Sequence, residues 1–320
     1  MKVFVPLSAG VAVAAVLGLL LGPTGFMSPA DLARGGASAM WQFRAPHVAL
    51  ALLAGAALAT GGAAMQAVLR NPLAEPYILG ISGGAAMGAM LHSLLNVGGL
   101  ALRSLMAFAG AVGVSWLVFV LARRGRGMGD NALILAGVML NVFFSAVIVL
   151  FLVLCDKTQG HELFFWLMGS LSMYGLRDML PLLPPLLLLV AALCLSGHTL
   201  NLLSLGHDHA RVLGLRAERA RTLLFLLVTV MVGLVVALAG VIGFVGLVAP
   251  HGLRLLMGGD HRRLLPASAL AGAMLLTLCD TASRSLYPPL EIPVGAVTAF
   301  LGVPLFLWLL IRADHGNLDL

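Results

Sequence analysis

The most constraining feature of this sequence is its division into ten apolar runs, most of them about as long as a membrane crossing. The runs occupy residues 4–22, 46–69, 77–95, 100–122, 131–154, 180–197, 222–241, 243–258, 266–286 and 294–312. A transmembrane α-helix needs roughly 20 mainly apolar residues, and in lipid a helix satisfies its own backbone hydrogen bonds. The sequence therefore predicts an all-α polytopic membrane protein with about ten transmembrane helices.

The composition excludes an ordinary soluble domain of this size. Hydrophobic residues make up 60% of the chain, charged residues only 10%, and the mean hydropathy is +1.03. Soluble domains are about 45–50% apolar and about 25% charged, so these charges are too few to cover a soluble surface. The formal charge of +6 comes from basic residues in the gaps between apolar runs, which favours a topological role over binding of nucleic acid.

The basic residues also predict the orientation, because they are enriched in cytoplasmic loops of membrane proteins. With ten spans and a cytoplasmic N-terminus, 13 of the 19 Lys and Arg residues fall inside and 6 outside. We therefore predict that both termini are cytoplasmic. The longest inside segment, 198–221, is expected to form two short helices broken at Gly214, since glycine readily adopts the conformation of such a break.

The sequence lacks the motifs of several kinds of enzyme. Its only lysines, Lys2 and Lys157, do not belong to a GxxxxGK[ST] motif, so the chain has no P-loop for ATP hydrolysis. His161 and Glu162 begin a pattern like that of zinc proteases, but Phe165 occupies the position of the second histidine. The three cysteines do not have the spacing of metal ligands. We predict no enzymatic activity, no metal site and no cofactor bound by this chain.

Two charged side chains lie within the ninth apolar run, where charges are costly. Asp280 and Arg284 are four residues apart, so they can pair on one face of a helix. One interpretation is a structural ion pair near the outer end of the helix, and the other is that Arg284 points outward as a docking charge. An ion-coupled secondary transporter would need acidic residues in the membrane, and Asp280 is the one serious candidate. That class and an intramembrane enzyme remain alternatives.

Several short motifs match a known family in their order and spacing. They are 44–46, 61–66, 70–76, 79–85, 166–171, 210–214, 243–251, 260–266, Asp280, Arg284, 291–295 and 302–304. Through these motifs, from about residue 40 to 312, the sequence resembles the permease subunits of bacterial ABC importers for iron–siderophore complexes, haem and cobalamin. Each motif is short, and their shared order makes the resemblance specific.

This resemblance implies a fold, a set of partners and a direction of transport. The implied fold is that of cobalamin-importer permeases, with residues 1–320 forming a single transmembrane permease domain. Such a permease is a homodimer in the lipid bilayer of the bacterial inner membrane, with two cytoplasmic ABC ATPases that carry ATP and Mg²⁺. A periplasmic binding protein delivers a metal chelate, which moves inward along the dimer axis. Iron–siderophore is the default substrate on family frequency, with haem and cobalamin left open.

The resemblance also implies roles for particular residues. Docking of the binding protein is expected at Arg44, His47 and Arg284. Coupling to the ATPase is expected in the loop 198–221, at His207, Asp208, Arg211 and Gly214. A cytoplasmic gate is expected at Asp130 and Asn131. The remaining motif residues, to which we assign a structural role, are Asn71, Pro72, Glu75, Pro250, His251, Asp280 and Glu291.

His47 departs from the family pattern. The family often has Arg-x-Pro-Arg where this chain has Arg44-Ala45-Pro46-His47. A histidine is fully charged only below its pKa of about 6.5. We therefore expect a weaker docking charge at this position at neutral pH than an arginine would supply.

Overall fold

The computed structural model describes residues 3–23, 25–28, 40–96, 98–123, 130–171, 175, 179–288 and 290–315. Among these residues there are helices, turns and connecting segments, and no β-strand. The α-helices are α1 (Phe4–Leu20), α2 (Ala45–Val68), α3 (Ile81–Leu95), α4 (Leu100–Arg123), α5 (Asp130–Leu154), α6 (Lys157–Leu167), α7 (Leu183–Leu195), α8 (Gly197–Ser204), α9 (His207–Val212), α10 (Ala217–Ala239), α11 (Val245–Met257), α12 (His261–Ser285) and α13 (Val294–His315). A π-helical turn, Met40–Arg44, precedes α2, and a 3₁₀ helix, Pro76–Leu79, precedes α3. The predicted all-α class is confirmed.

Each predicted apolar run contains a helix, but fewer than ten helices have the length expected of a membrane span. Within the described ranges, five are long and apolar enough to cross a membrane, namely α2, α4, α5, α10 and α12. The pair α7 and α8, bent by 49°, gives a sixth candidate if it is one span. Shorter apolar helices are α1, α3, α11 and α13. The chain is a helical membrane protein, and the total of ten spans stays a prediction.

Two helix starts differ from the sequence prediction for local reasons. α3 starts at Ile81 and not at 77, because the 3₁₀ helix comes first and Gly80 takes a left-handed φ of +81°. α12 starts at His261 and not at 266, because Asp260 caps it by accepting a hydrogen bond from the Arg262 N–H at 3.1 Å. Hydropathy also does not predict α6, because its 11 residues are too few and too polar for a span.

Helix α2 lies at the centre of the packed helices. It is mostly buried and packs most extensively against α12. A Cβ atom at Gly55 would overlap the carbonyl group of Gly272 on α12, and one at Gly62 would overlap that of Gly246 on α11. Because Gly55 and Gly62 are about two helical turns apart, they lie on one face of α2, where both helices cross in backbone contact.

Helices α3 and α4 pack in the same way. Gly80, Gly84 and Gly88 form two overlapping GxxxG steps, a pattern typical of close helix contacts. A Cβ atom at Gly84 would overlap the carbonyl of Gly110 on α4, and one at Gly88 would overlap that of Met106. The small residues of this repeat therefore lie in a helix–helix contact.

Helices α5 and α13 leave broad apolar faces uncovered by the described part of the chain. Val142 and Phe143 of α5 are exposed, as are Phe300 and Trp308 of α13. Large apolar faces of this kind contact lipid or another protein chain.

Candidate functional site

Three breaks in helical structure lie next to one another in the fold. They are 168–171, 240–244 and 291–293. The Ser170 N–H donates to the Ala239 carbonyl at 2.8 Å, and the Val294 N–H donates to the Gly169 carbonyl at 3.1 Å. These bonds satisfy backbone groups that helix ends leave unpaired. Within a membrane protein, irregular backbone is tolerated where protein surrounds it or where it lines a water-filled cavity. The three breaks together form a layer of irregular backbone, and because such backbone can line a cavity, this layer is a candidate part of a transport path.

The segment between α2 and α3 connects this layer to α5. Glu75 Oε1 accepts a hydrogen bond from the Phe244 N–H at 2.8 Å, and the Tyr77 hydroxyl oxygen accepts one from the Ile242 N–H at 3.3 Å. Phe244 has a φ of +68°, which is uncommon for a residue with a side chain. On the opposite side, Asn141 of α5 donates from Nδ2 to the Tyr77 carbonyl at 2.9 Å. The segment between α2 and α3 thus binds both the α10–α11 break and α5, and it fixes their relative positions.

Other residues of the predicted structural motif lie nearby. Asn71 Oδ1 accepts a hydrogen bond from the backbone N–H two residues on, at 2.9 Å, in the turn that contains Pro72. Pro250 lies inside α11, which continues through it. The buried ring of His251 packs against that of Phe306 on α13, with centroids 5.4 Å apart. These residues shape the turn after α2 and the contact between α11 and α13.

A buried charge cluster lies where α1 and α12 end and α2 begins. Arg284 Nη2 is 2.8 Å from Asp280 Oδ2, and both side chains are about 2–3% exposed. Arg284 also donates to the Gly18 carbonyl at 3.3 Å, and Arg44 donates to the Leu20 carbonyl at 2.6 Å. The two guanidinium groups therefore satisfy carbonyl groups that the end of α1 leaves unpaired.

This cluster bears on the two interpretations of Asp280 and Arg284. Its geometry agrees with the structural ion pair. Arg44 is 5% exposed and Arg284 is 2% exposed, so neither guanidinium group is presented to solvent in this conformation. Docking of a binding protein through these two arginines stays a prediction.

His47 lies at the edge of the cluster, with Nδ1 3.5 Å from Asp280 Oδ1. It lines a cavity of about 210 Å³ together with Asp280, Ser283, Arg284 and Glu291. Glu291 is exposed. His47 is therefore the predicted docking residue that lies at this cavity, and its docking role stays a prediction.

The predicted coupling loop contains two short helices, α8 and α9. They are separated at Gly206, which has a φ of +102°, and Gly214, at φ +82°, lies in the turn between α9 and α10. The predicted break at Gly214 is therefore corrected, because the left-handed residue between the two short helices is Gly206. Arg211 is exposed. His207 and Asp208 belong to α9, but their side chains lie outside the described part of the structure.

The predicted gate residues begin α5. Asp130 is the first residue of that helix, and its side chain lies outside the described part. Asn131 is exposed. Further along α5, a Cβ atom at Gly137 would overlap the carbonyl of Ile78. The start of α5 is thus joined to the segment that holds the α10–α11 break, and the gate itself stays a prediction.

Two amide side chains that the sequence patterns do not single out have central positions. Asn141 joins α5 to the segment before α3, and Asn201 joins α8 to the start of α12. An isolated amide in an apolar helix is the signal that could have identified Asn141. Over the described residues, no three His, Cys, Asp or Glu side chains converge as metal ligands would.

In its described residues the chain is a helical membrane protein with breaks between packed helices and a helical loop between its longer helices, features that a membrane permease would have. Its sequence belongs to the FecCD transport family, whose model matches residues 9–312. The chain is therefore the membrane permease component of an ABC importer. ATP is hydrolysed by a separate subunit, and the chain itself is not an enzyme.

Two similar permeases and one solved transporter match most of the chain. The chain is 43% identical to the vitamin B12 import system permease protein BtuC of Serratia proteamaculans, over 96% of this chain and 91% of that protein. It is 41% identical to the hemin transport system permease protein HmuU of Yersinia pestis, over 86% and 84%. A metal-chelate type ABC transporter, solved in an inward-facing conformation, matches with a TM-score of 0.89 and 33% identity, over 97% and 99%.

Proposed function

We propose that this chain is the transmembrane permease subunit of an ATP-driven importer that moves a metal chelate from the periplasm to the cytoplasm. It works as a homodimer in the bacterial inner membrane, and the path lies at the dimer axis. Two ABC ATPases bind its cytoplasmic face, and a periplasmic binding protein delivers the chelate. ATP and Mg²⁺ belong to the ATPases.

The observation that carries this proposal is the match to the metal-chelate type transporter over 97% of the chain. The helical loop 198–221 is the longest segment on the predicted cytoplasmic side. A permease without its own P-loop needs such a surface, because the force that changes its conformation comes from another subunit.

The proposed topology has ten spans and cytoplasmic termini. Hydrogen bonds between helix ends support it, because they join segments predicted to lie on the same side. Asn201 binds Asp260 at 2.7 Å, and both lie in predicted inside segments. Arg44, in a predicted outside segment, binds the Leu20 carbonyl at the predicted outer end of the first apolar run. This pairing is what a consistent alternation of spans requires.

The proposed homodimer is supported by the uncovered apolar faces of α5 and α13. In a dimer, part of these faces would contact the second copy and part would contact lipid. Since α5 is also attached to the α10–α11 break through Asn141 and Tyr77, a shift of α5 at the dimer axis would be transmitted to the layer of irregular backbone.

The chemical identity of the chelate is the finer part of the proposal. Two relatives with similar identity are named for different cargo, hemin and vitamin B12, so overall identity does not select one, and iron–siderophore remains a third member of the class. The cognate binding protein should be heated with each chelate in turn. The transported chelate is expected to raise its melting temperature by mass action.

A test of the function itself compares ATP turnover by the complex in nanodiscs with and without the chelate-loaded binding protein. Stimulation by the loaded binding protein supports the importer. The alternatives are an ion-coupled secondary transporter and, less favoured, an intramembrane enzyme. An ion-coupled carrier would take up substrate without the ATPase and would lose uptake when an ionophore dissipates the gradient, an outcome that would contradict the proposal. The pairing of Asp280 with Arg284 also leaves that carboxylate poorly placed to bind a coupling ion.

Gly214→Val is expected to abolish substrate-stimulated ATP turnover in proteoliposomes while the dimer stays folded. A β-branched residue is strained at φ +82°, although no atom lies within 4 Å of the added Cβ. The effect is therefore on the backbone of the turn after α9. Gly214→Asn is the matched control, since asparagine tolerates this conformation. Normal transport by the valine variant would contradict a coupling role for Gly214.

Cysteines at positions 130 and 131 are expected to report the cytoplasmic gate. In a background without Cys155, Cys194 and Cys279, the cross-linking yield between the two copies should differ between the ATP-bound and nucleotide-free complexes. The physical reason is that the first residues of α5 would change their separation as the path opens and closes. Equal yields in the two states would place the gate elsewhere.

A further inference from the structure

Helix α8 is fastened to the first residues of α12 by one amide side chain. Asn201 Oδ1 accepts hydrogen bonds from the backbone N–H and from ring Nδ1 of His261, both at 2.8 Å. Asn201 Nδ2 donates to Asp260 Oδ1 at 2.7 Å. The carboxylate needs a donor and the N–H needs an acceptor, so the orientation of the amide and the proton on Nδ1 are assigned by these partners. One side chain thus binds three groups at the start of α12.

The backbones of the two helices are also in direct contact at this point. A Cβ atom at Gly197, the first residue of α8, would lie 2.8 Å from Arg262 Cα and 2.9 Å from its backbone nitrogen. Beside this contact, Arg262 Nη2 lies 3.0 Å from His198 Nδ1. Helix α8 therefore has no room to slide over the first turn of α12 without moving it.

The contact between α8 (Gly197–Ser204) and the first residues of α12 is called the α8–α12 joint below. Asp260 remains ionised in this joint. Its carboxylate accepts from the Asn201 amide and from the Arg262 N–H. These hydrogen bonds, the amide first, lower the pKa of the Asp260 carboxyl below its ordinary value. The group is therefore ionised at neutral pH, and it serves at once as the N-cap of α12 and as the acceptor for α8.

Helix α12 connects this joint to the buried charge cluster at its other end. It has 25 residues, which corresponds to about 37 Å at 1.5 Å per residue. Near its end, Arg284 binds Asp280 and the Gly18 carbonyl of α1, and His47 of α2 faces Asp280. A displacement of the start of α12 therefore has a continuous, tightly packed helix through which to reach that cluster.

We propose that Asn201 is a positioning residue that transmits movement of the coupling loop to α12. The ATPase stroke would then reach the buried charge cluster through α12, as well as through α10, which follows the loop along the chain. This inference rests on the proposed function, because it assumes that an ATPase moves the loop.

The variant Asn201→Asp tests the joint, because it sets a second carboxylate against Asp260. Like charges at this distance repel, and a hydrogen bond to a charged group is lost. We expect the amount of chelate transported per ATP in proteoliposomes to fall about tenfold, with little change in basal ATP turnover and only a small fall in melting temperature, because the contact is exposed to solvent. Ser204→Asp is the control, since it adds a carboxylate at an exposed position of the same helix.

The double variant Asn201→Asp/Asp260→Asn exchanges the two groups and should restore coupling. The carboxylate at 201 would accept from both His261 donors and from the new amide at 260, whose oxygen would still accept from the Arg262 N–H. Recovery of transport per ATP by this exchange is a result that a change in stability alone would not produce.

A second variant, Gly197→Ala, tests the same joint without a change in charge. Its added Cβ must push α8 away from Arg262, so transport per ATP should fall here as well. Wild-type coupling in both Asn201→Asp and Gly197→Ala would overturn the inference. So would failure of the exchange variant to recover transport while it remains folded. The absence of ATP-driven uptake by the wild-type complex would instead refute the proposed function, and this inference with it.

Discussion

Gly272→Val is expected to destabilise the permease severely, with most of the protein lost before purification. Gly272 lies where α12 crosses α2, and even a Cβ atom there would overlap the carbonyl group of Gly55. The overlap cannot be relieved by rotating a side chain, because the atom that the Cβ would meet belongs to the backbone of α2. Overpacking of a dense interior costs about 1–3 kcal/mol and sometimes more, and we expect the upper end of that range. Thermal unfolding in detergent of the protein that can be purified measures the loss of stability.

The control for this variant is a glycine that also lies in a helix but has free space where its Cβ would be. Gly113 of α4 and Gly252 of α11 are helical, and no atom lies within 4 Å of a Cβ added to either. Alanine at these positions should be neutral or slightly stabilising, because alanine favours helix by about 1 kcal/mol over glycine. If Gly272→Val melted at the wild-type temperature, the crossing of α2 and α12 in backbone contact would be wrong.

Arg284→Leu is the second substitution with a large expected effect. It leaves the Asp280 carboxylate about 3% exposed without its guanidinium partner, and it removes the donor to the Gly18 carbonyl. Removal of one member of a buried ion pair costs about 3–5 kcal/mol. We therefore expect a clear fall in melting temperature. Asp280→Leu/Arg284→Leu should recover part of the loss, because it removes the uncompensated charge but not the unmet carbonyl.

Charge-reversal variants of the two arginines separate the structural role of the cluster from a docking role. The dissociation constant of the binding protein should be measured in nanodiscs across a salt series for Arg44→Glu and Arg284→Glu. A docking role predicts weaker association at low salt with unchanged stability. A structural role predicts a lower melting temperature of the permease itself. The burial of both guanidinium groups favours this structural role. His47→Arg, at the cavity that solvent reaches, should tighten association at neutral pH.

The sequence predicts the helical class because apolar runs and scattered basic residues report directly on the bilayer. It does less well on helix boundaries. α12 begins five residues before the predicted start, since a cap at Asp260 and the flanking polar turn extend it beyond the apolar run. The two short helices of the coupling loop are separated at Gly206, and Gly214 lies in the next turn. Both glycines follow a leucine and both have a positive φ, so the short sequence context does not distinguish them.

The site residues show the same limit more sharply. Arg44 and Arg284 lie near helix ends in the sequence, which is compatible with docking or with burial. Their partners are carbonyl groups of α1, some 24 and 266 residues away along the chain, and a pattern along one chain does not contain that information. Asn201 is missed for the same reason, because its importance comes from residues near position 260.

The most direct test of the proposed function is uptake of the chelate by proteoliposomes that contain the permease, its ATPase and ATP in the lumen. The chelate-loaded binding protein is added outside, and accumulated metal is measured with and without an ionophore. ATP-dependent accumulation that the ionophore does not abolish, and that stops when the binding protein is omitted, is the predicted result. Accumulation that needs no ATP and disappears with the ionophore would contradict it.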